Sequence, residues 1–105
     1  MINLLKFNKE YYQLIIDGVK TQTLRKNNKR LQVDEIVKAI FPGTTNECKI
    51  QITETGYKQF KYLNEEDAEL EGYNNLEELK KDLINIYPRL DGFDRLYYYR
   101  FKVVD

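Results

Sequence analysis

The stretch DEIVKAIFPGTTNECKIQITETGYKQF, residues 34 to 60, carries the clearest fold signal in the chain. Two runs rich in β-branched and apolar residues flank the letters PGTTNE at 42 to 47. Proline, glycine and asparagine favour a turn, whereas isoleucine, valine and threonine favour strands. The middle of the chain is therefore predicted to form a β-hairpin.

The segment before this hairpin predicts a strand followed by a helix. The letters NLLKF at 3 to 7 form a short apolar run, and KEYYQLIID at 9 to 17 has a helical period. We expect Asn8 to cap the helix and Gly18 to end it in the left-handed conformation. The following letters KTQTLR, residues 20 to 25, are expected to be extended.

Two helices and a strand are predicted after the hairpin. Asn64 is expected to cap a short acidic helix over EEDAELE that ends at Gly72, and Asn74 or Asn75 to cap a second helix over LEELKKDLINIY. The second helix is expected to end before Pro88. Its predicted apolar face contains Leu76, Leu79, Leu83 and Ile86.

The last strand is predicted over RLYYYRFKVV, residues 95 to 104, with alternate side chains on opposite faces. The predicted order is β, α, several β, α, α, β, without regular βαβ alternation. This order indicates an α+β fold, a small curved sheet with helices packed on or across it. No low-complexity linker interrupts residues 1 to 105, so we expect one domain.

Composition excludes several kinds of catalytic site. The chain has no histidine, serine or tryptophan, which excludes Ser-His-Asp chemistry and histidine-ligated metals. Its one cysteine, Cys48, excludes an internal disulfide and a cysteine-built zinc site. An enzyme of this composition needs threonine or tyrosine as its hydroxyl nucleophile. Lysine, aspartate, glutamate or tyrosine must carry its protons.

Charge is balanced overall but unevenly distributed. The 17 lysines and arginines equal the 17 acids, yet residues 18 to 33 hold five cations and no acid, and residues 62 to 79 hold seven acids and no cation. The opening letters MINLLKFNKEYY resemble neither a signal peptide nor a membrane span. We expect a cytoplasmic protein that does not contact a membrane.

The basic letters GVKTQTLRKNNKR, residues 18 to 30, permit two interpretations. The general one is a solvated loop. The specific one is a functional site. Every second residue of a strand points to the same face, so the side chains of Thr21, Thr23 and Arg25 are expected together. Lys20 joins Thr23 only if Lys20 still belongs to the preceding turn.

Two further segments also have two interpretations. The acidic letters NEEDAELEGY predict either a solvated helix or a carboxylate, Glu69 or Glu71, that turns inward. The aromatic letters LYYYRF predict either core or a surface that stacks nucleic-acid bases, and core is favoured.

The letters GVKTQTLR resemble the G-x-K-T-x-T-x-R segment of ASCH domains, which are PUA-like folds. The resemblance extends through AELEGYNNLEELKKDLINIYP to the last strand and is strongest to small bacterial N4-acetylcytidine amidohydrolases. It implies a curved sheet or barrel whose opening is covered by helices. It also implies that Lys20 is the proton acceptor, Thr23 the nucleophile and Glu71 the proton donor.

The link between the acidic helix and LEELKK is one residue longer than in those relatives, so Glu69 remains an alternative proton donor. The expected reaction removes the acetyl group from N4-acetylcytidine or a related acylated nucleoside, without metal or cofactor, in a monomer. Thr21, Arg25 and Glu69 are the expected substrate contacts. An RNA-binding module is the alternative function, with Lys26, Lys29 and Arg30 contacting phosphates, and a ribonuclease using the same cleft is a third.

Overall fold

The computed structural model describes residues 2–104. Its five strands are β1 (Asn3–Lys6), β2 (Gln22–Arg25), β3 (Ile36–Ile40), β4 (Glu47–Gln59) and β5 (Arg95–Val104). Its three helices are α1 (Tyr12–Ile16), α2 (Glu65–Leu70) and α3 (Leu76–Ile86), and 3₁₀ turns occupy Lys9–Tyr11 and Phe60–Tyr62. The predicted element order is confirmed.

All five strands form one sheet in the order β1-β3-β4-β5-β2. The predicted hairpin is confirmed, since β3 and β4 pair antiparallel with Val37 opposite Ile50. Strand β1 pairs parallel with β3 because the chain crosses over between them, and the other neighbouring strands are antiparallel. The sheet curls into a half-barrel with a few helices, which is the predicted α+β class.

Hydrophobic side chains pack on both faces of the sheet. Strand β5 contributes to both, because Tyr99 and Phe101 belong to one buried cluster and Leu96 to the other. Helix α3 covers the second face with Leu79 and Leu83. The prediction that the aromatic run LYYYRF contributes mainly to the core is therefore confirmed.

Asparagine caps two of the helices as predicted. Asn64 accepts from the amide of Asp67, whose carboxylate accepts from the Asn64 amide in return, and Asn75 rather than Asn74 caps α3. Asn8 occupies the predicted cap position before the first turn, but the predicted side-chain capping bond is wrong. The first turn there is a 3₁₀ turn, and the Asn8 backbone carbonyl, not its side chain, accepts from the Tyr11 amide.

The apolar face of α3 is shorter than predicted. Leu79 and Leu83 are buried, Leu76 is half-buried, and Ile86 is 47% exposed because the last helical turn extends past the core. Over residues 2–104, no helix has the length and apolar character needed to cross a membrane.

Candidate active site

A cavity of about 210 Å³ lies where the two edge strands of the sheet approach each other. Arg25 in β2 donates through Nη2 to the backbone carbonyl of Lys6 at the end of β1, 2.8 Å away, and so links the two edges. Polar residues of the cavity lining include Lys20, Thr23, Arg25, Glu71 and Tyr11. Apolar residues of the lining include Phe7, Leu24, Leu79, Leu83 and Ile86.

Lys20 faces the cavity because it precedes the strand. Gly18 adopts a φ of 73°, and the amides of Val19 and Lys20 both donate to the Leu14 carbonyl, which reverses the chain after α1. The Thr21 amide then donates to the carbonyl of Leu70, at the end of α2. This bond brings Lys20 against the residue that follows α2, Glu71.

Lys20 and Glu71 form a buried ion pair. The Nζ of Lys20 lies 3.1 Å from Oε1 of Glu71 and 3.4 Å from the Glu71 carbonyl oxygen, and the two side chains are 4% and 5% exposed. The Tyr11 ring closes one side, with its centroid 4.8 Å from the Lys20 nitrogen. Water is therefore largely excluded from the pair, which strengthens its electrostatic coupling.

The second carboxylate oxygen of Glu71 is left without a partner. Oε2 is buried and has no hydrogen-bond partner among the described residues. Burial raises the pKa of the Glu71 carboxyl above its usual value, although the charge and hydrogen bond of Lys20, the Gln22 side chain and the charge of Arg25 oppose the shift. A buried carboxyl with a raised pKa and a free oxygen is suited to donate or share a proton with a ligand.

Thr23 and Arg25 form the second polar unit of the cavity. They are two residues apart on β2 and so share a face, and Arg25 Nε donates to Thr23 Oγ1 at 2.9 Å. The Arg25 guanidinium also lies 4.9 Å from the Phe7 ring centroid. Burial lowers the pKa of Arg25, but a guanidinium remains charged in proteins. The Thr23 hydroxyl thus accepts a charged hydrogen bond and keeps its own proton free to donate.

No hydrogen bond joins Lys20 Nζ to Thr23 Oγ1 within residues 2–104, although both groups line the same cavity. Catalytic hydrogen bonds are often long in ligand-free proteins and shorten when substrate binds, or pass through one water. Proton transfer between these two groups would therefore need a substrate or a water molecule that brings them into contact.

Two tyrosines and an aspartate hold the outer wall of the cavity. The hydroxyls of Tyr11 and Tyr73 both donate to Oδ2 of Asp82 in α3, and the two hydroxyl oxygens lie 3.0 Å apart. Burial raises the pKa of Tyr11 to about 12 and also raises that of Tyr73. Both tyrosines therefore stay protonated near neutral pH, and Asp82 fixes the Tyr11 ring beside Lys20.

A second polar network lies behind the site and orients α2. Asp67, one helical turn before Glu71, pairs with Lys58 at 2.9 Å and accepts from the amide of buried Gln22 at 3.3 Å. The Gln22 carbonyl accepts from Arg100 at 3.0 Å. These bonds tie α2 to β2, β4 and β5, and so hold the end of α2 where Glu71 enters the cavity.

Two predicted substrate contacts do not line the cavity. Glu69 is exposed because it lies two residues from Glu71, which places the two on different sides of the helix end. Thr21 is half-buried outside the cavity because β2 begins only at Gln22, so strand alternation does not reach it. The predicted phosphate contacts Lys26, Lys29 and Arg30 are exposed, as expected for the turn after β2.

Several cavity residues were not predicted. Asn8 was interpreted as a helix cap, and Leu79 and Leu83 as part of the apolar face of α3. Neither these residues nor Tyr11 had a local sequence signal for a role beside the site. Tyr73 had none either. Within the described part of the chain, no group of three or more histidine, cysteine, aspartate or glutamate side chains is placed to hold a metal ion.

Comparison with known proteins identifies the fold. The ASCH domain model matches residues 3–105. No protein with a curated description matches the chain in sequence. An ASCH domain from Lactobacillus crispatus JV V101 superposes with a TM-score of 0.80 at 18% identity, over 96% of this chain and 79% of the other.

Two further solved structures are similar. A protein from Enterococcus faecalis V583 has a TM-score of 0.80 at 17% identity, over 100% of this chain and 77% of the other. A mutant ASCH protein from Zymomonas mobilis has a TM-score of 0.68 at 10% identity, over 94% of this chain and 67% of the other. At such identities these structures support the fold alone. The family model covers nearly the whole sequence, and the chain therefore belongs to the ASCH domain family.

Proposed function

We propose that this protein is an amidohydrolase that removes the acetyl group from N4-acetylcytidine or a related acylated nucleoside. The observation that carries the proposal is the buried Lys20–Glu71 pair, with Glu71 Oε2 unpaired, in a cavity shared with Thr23 and Arg25. A base, an acid, a hydroxyl nucleophile and a fixed cation for the oxyanion are together sufficient for acyl transfer.

Moving one proton from Lys20 to Glu71 gives the site both a base and an acid. In the ionic form the proton is on Lys20, and moving it to Glu71 gives a neutral amine beside a neutral carboxylic acid. Acyl transfer uses this neutral form, and burial, which raises the pKa of the Glu71 carboxyl, favours a proton on Glu71. The neutral amine is then ready to accept a proton and the carboxylic acid to donate one.

Acyl transfer begins with Thr23. Its Oγ1 attacks the acetyl carbonyl carbon while its proton passes to Lys20, and Arg25 stabilises the charge that develops on the carbonyl oxygen. Glu71 then protonates the exocyclic nitrogen as the carbon–nitrogen bond breaks, and cytidine leaves.

Water completes the cycle. It attacks the acetyl ester on Thr23, loses one proton to the Glu71 carboxylate and leaves as part of acetic acid, which ionises to acetate in solution. The proton held by Lys20 returns to the Thr23 oxygen. Both groups of the pair are then restored, and atoms and charges balance over the cycle.

Incubation of the purified protein with N4-acetylcytidine, followed by chromatography, tests this proposal. We expect cytidine to form, the Glu71→Gln variant to be inactive and the matched Glu69→Gln variant to be active. The result that contradicts the proposal is a folded wild-type protein that leaves the nucleoside intact.

One observation favours RNA binding as a second function. A groove of about 470 Å³ beside the basic turn is lined by three tyrosines and Arg30, with no acidic side chain. Tyr57 in this groove is 59% exposed, and Arg95 lies 4.2 Å from its ring centroid. Stacking aromatics with nearby cations are typical of single-strand binding surfaces. Titration of the Tyr57→Ala variant with a short RNA tests this candidate, since loss of affinity is expected only if the groove binds bases.

A further inference from the structure

The cavity is small for a complete nucleoside ligand. Its volume of about 210 Å³ lies below the roughly 300–1,000 Å³ of pockets that enclose drug-sized ligands. A base with its acetyl group can therefore enter, while the sugar stays near the mouth. The surfaces that adjoin the mouth then contact whatever the sugar carries.

One adjoining groove continues from the cavity along the end of β1. It shares Lys6, Phe7 and Asn8 with the cavity and is also lined by Lys9 and Glu10. Lys6 and Lys9 are exposed, and neither forms an ion pair within residues 2–104. Two cations against one acid give this groove a positive balance.

A second adjoining groove lies at the end of α3. It shares Ile86 and Tyr87 with the cavity and is also lined by Lys26 and Arg89, with no acidic side chain. Lys26 and Arg89 are exposed and have no ion-pair partner in the described part of the chain. The cavity is thus flanked by cations on its β1 side and on its α3 side.

The third surface that adjoins the cavity has mostly negative charge. Beyond Tyr11 and Tyr73 it is lined by Glu10, Glu78 and Asp82, against one cation, Lys81. In a chain with no net charge, this distribution leaves two cationic grooves and one acidic surface around a single cavity. An anionic ligand that enters the cavity is therefore directed into the two cationic grooves.

We propose that the substrate is an acetylated cytidine residue within an RNA strand, whose base enters the cavity while the phosphates on its two sides occupy the two grooves. The inference rests on the proposed function and names its substrate class. A free nucleoside has no phosphate for either groove, and a mononucleotide has one. Only a strand places a phosphate in both.

Three substrates test the inference: N4-acetylcytidine, its 5′-monophosphate, and an RNA trinucleotide with N4-acetylcytidine in the middle. We expect kcat/KM to rise in that order. For the trinucleotide it should fall with salt, with a logarithmic slope of about −0.7 per contacted phosphate. Equal kcat/KM for all three substrates, without salt dependence, overturns the inference while leaving the proposed function intact.

Matched charge variants locate the contacts. Lys9→Gln removes a cation from the first groove, Lys26→Gln/Arg89→Gln removes two from the second, and Lys49→Gln/Lys102→Gln removes two exposed cations from strands β4 and β5 as a control. Each groove variant should reduce the trinucleotide-to-nucleoside ratio of kcat/KM severalfold, and the control should not. If only one of the two groove variants reduces this ratio, the inference that phosphates occupy both grooves is overturned.

Binding separates this inference from the proposed function. If no substrate is hydrolysed, the proposed function fails. Fluorescence anisotropy of the labelled acetylated trinucleotide then still tests whether an RNA strand binds in both grooves. Weaker binding in both groove variants, with the control unchanged, supports binding of the strand in both grooves. Equal binding in all variants overturns it.

Discussion

Lys20 Nζ and Glu71 Oε1 lie 3.1 Å apart although the two residues are 51 positions apart in sequence, and both side chains are almost fully buried. Breaking such a pair costs more than its formation stabilises, because the remaining charge has no partner. The pair therefore links the stability of the fold to the protonation of the site.

Replacing Lys20 by methionine should raise the pKa of Glu71 further, because the cation that opposes the effect of burial is lost. An acid whose pKa is raised in the folded state stabilises the fold below its unfolded pKa and loses that contribution as pH rises through the folded pKa. The variant should therefore lose stability toward alkaline pH, by up to about 3–5 kcal/mol. Denaturant unfolding at several pH values and carbon-13 NMR titration of Glu71 measure both effects.

The control for this prediction is the double variant Lys20→Met/Glu71→Gln, which has no charge at either position. Its stability should lack the additional pH dependence. A Glu71 carboxyl that titrates at the ordinary glutamate value in wild type and in Lys20→Met contradicts the account of the pair.

Single replacement of Lys20 or Glu71 by alanine should each abolish most hydrolysis, and the double replacement should cost little more, because both residues serve one acyl-transfer sequence. Steady-state kinetics on N4-acetylcytidine measures this, with Glu69→Ala as the control. An inactive Glu69→Ala beside an active Glu71→Ala shows that the proton donor is Glu69.

Arg25→Lys should reduce kcat by roughly 10²-fold, because lysine cannot bond Thr23 Oγ1 and the Lys6 carbonyl with one planar group. The control is Arg95→Lys, at an exposed position outside the cavity. Comparing kcat at saturating nucleoside measures the effect. Similar kcat values for Arg25→Lys and wild type remove Arg25 from oxyanion stabilisation.

Neutralising Lys26, Lys29 and Arg30 together should leave hydrolysis of the uncharged nucleoside within a few-fold of wild type, because all three are exposed and outside the cavity. RNA binding should weaken, and its salt slope should flatten by about 0.7–0.9 per lost phosphate contact. A nucleoside assay and an RNA titration at several salt concentrations make the comparison. Collapse of nucleoside turnover in a folded variant places the turn inside the site.

Asp67→Ala should destabilise the fold by roughly 2–4 kcal/mol, because it removes the capping box of α2 and leaves the buried Gln22 amide without its acceptor. Glu69→Ala, on the exposed side of the same helix, should change stability by less than about 0.5 kcal/mol. Urea denaturation compares the two. Equal stabilities contradict the role given to the Asp67 network.

Local chemistry explains which parts of the fold the sequence predicts. The hairpin, the caps at Asn64 and Asn75 and the reversal at Gly18 depend on residues within a few positions of each other, and each is found. Asn8 holds the cap position as predicted, but the turn it precedes is a 3₁₀ turn and its side chain forms no capping bond. The parallel pairing of β1 with β3 has no local signal, since it depends on where the chain crosses the sheet.

The candidate site shows the same limit. The resemblance of residues 18 to 25 indicated Lys20, Thr23 and Arg25, but the choice between Glu69 and Glu71 depended on how α2 ends against β2. The contacts of Tyr11 and Tyr73 with Asp82 join residues up to 71 positions apart. Such pairs form through tertiary packing, and hydrophobic periodicity does not encode them.

The central claim is tested most directly by the release of cytidine and acetate from N4-acetylcytidine by three proteins: wild type, Thr23→Val and Thr21→Val. The two threonines are two positions apart, but only Thr23 lines the cavity and accepts from Arg25. We predict equal amounts of cytidine and acetate from wild type and Thr21→Val, and neither product from Thr23→Val. Undiminished release by folded Thr23→Val, or no release by wild type, would contradict the claim.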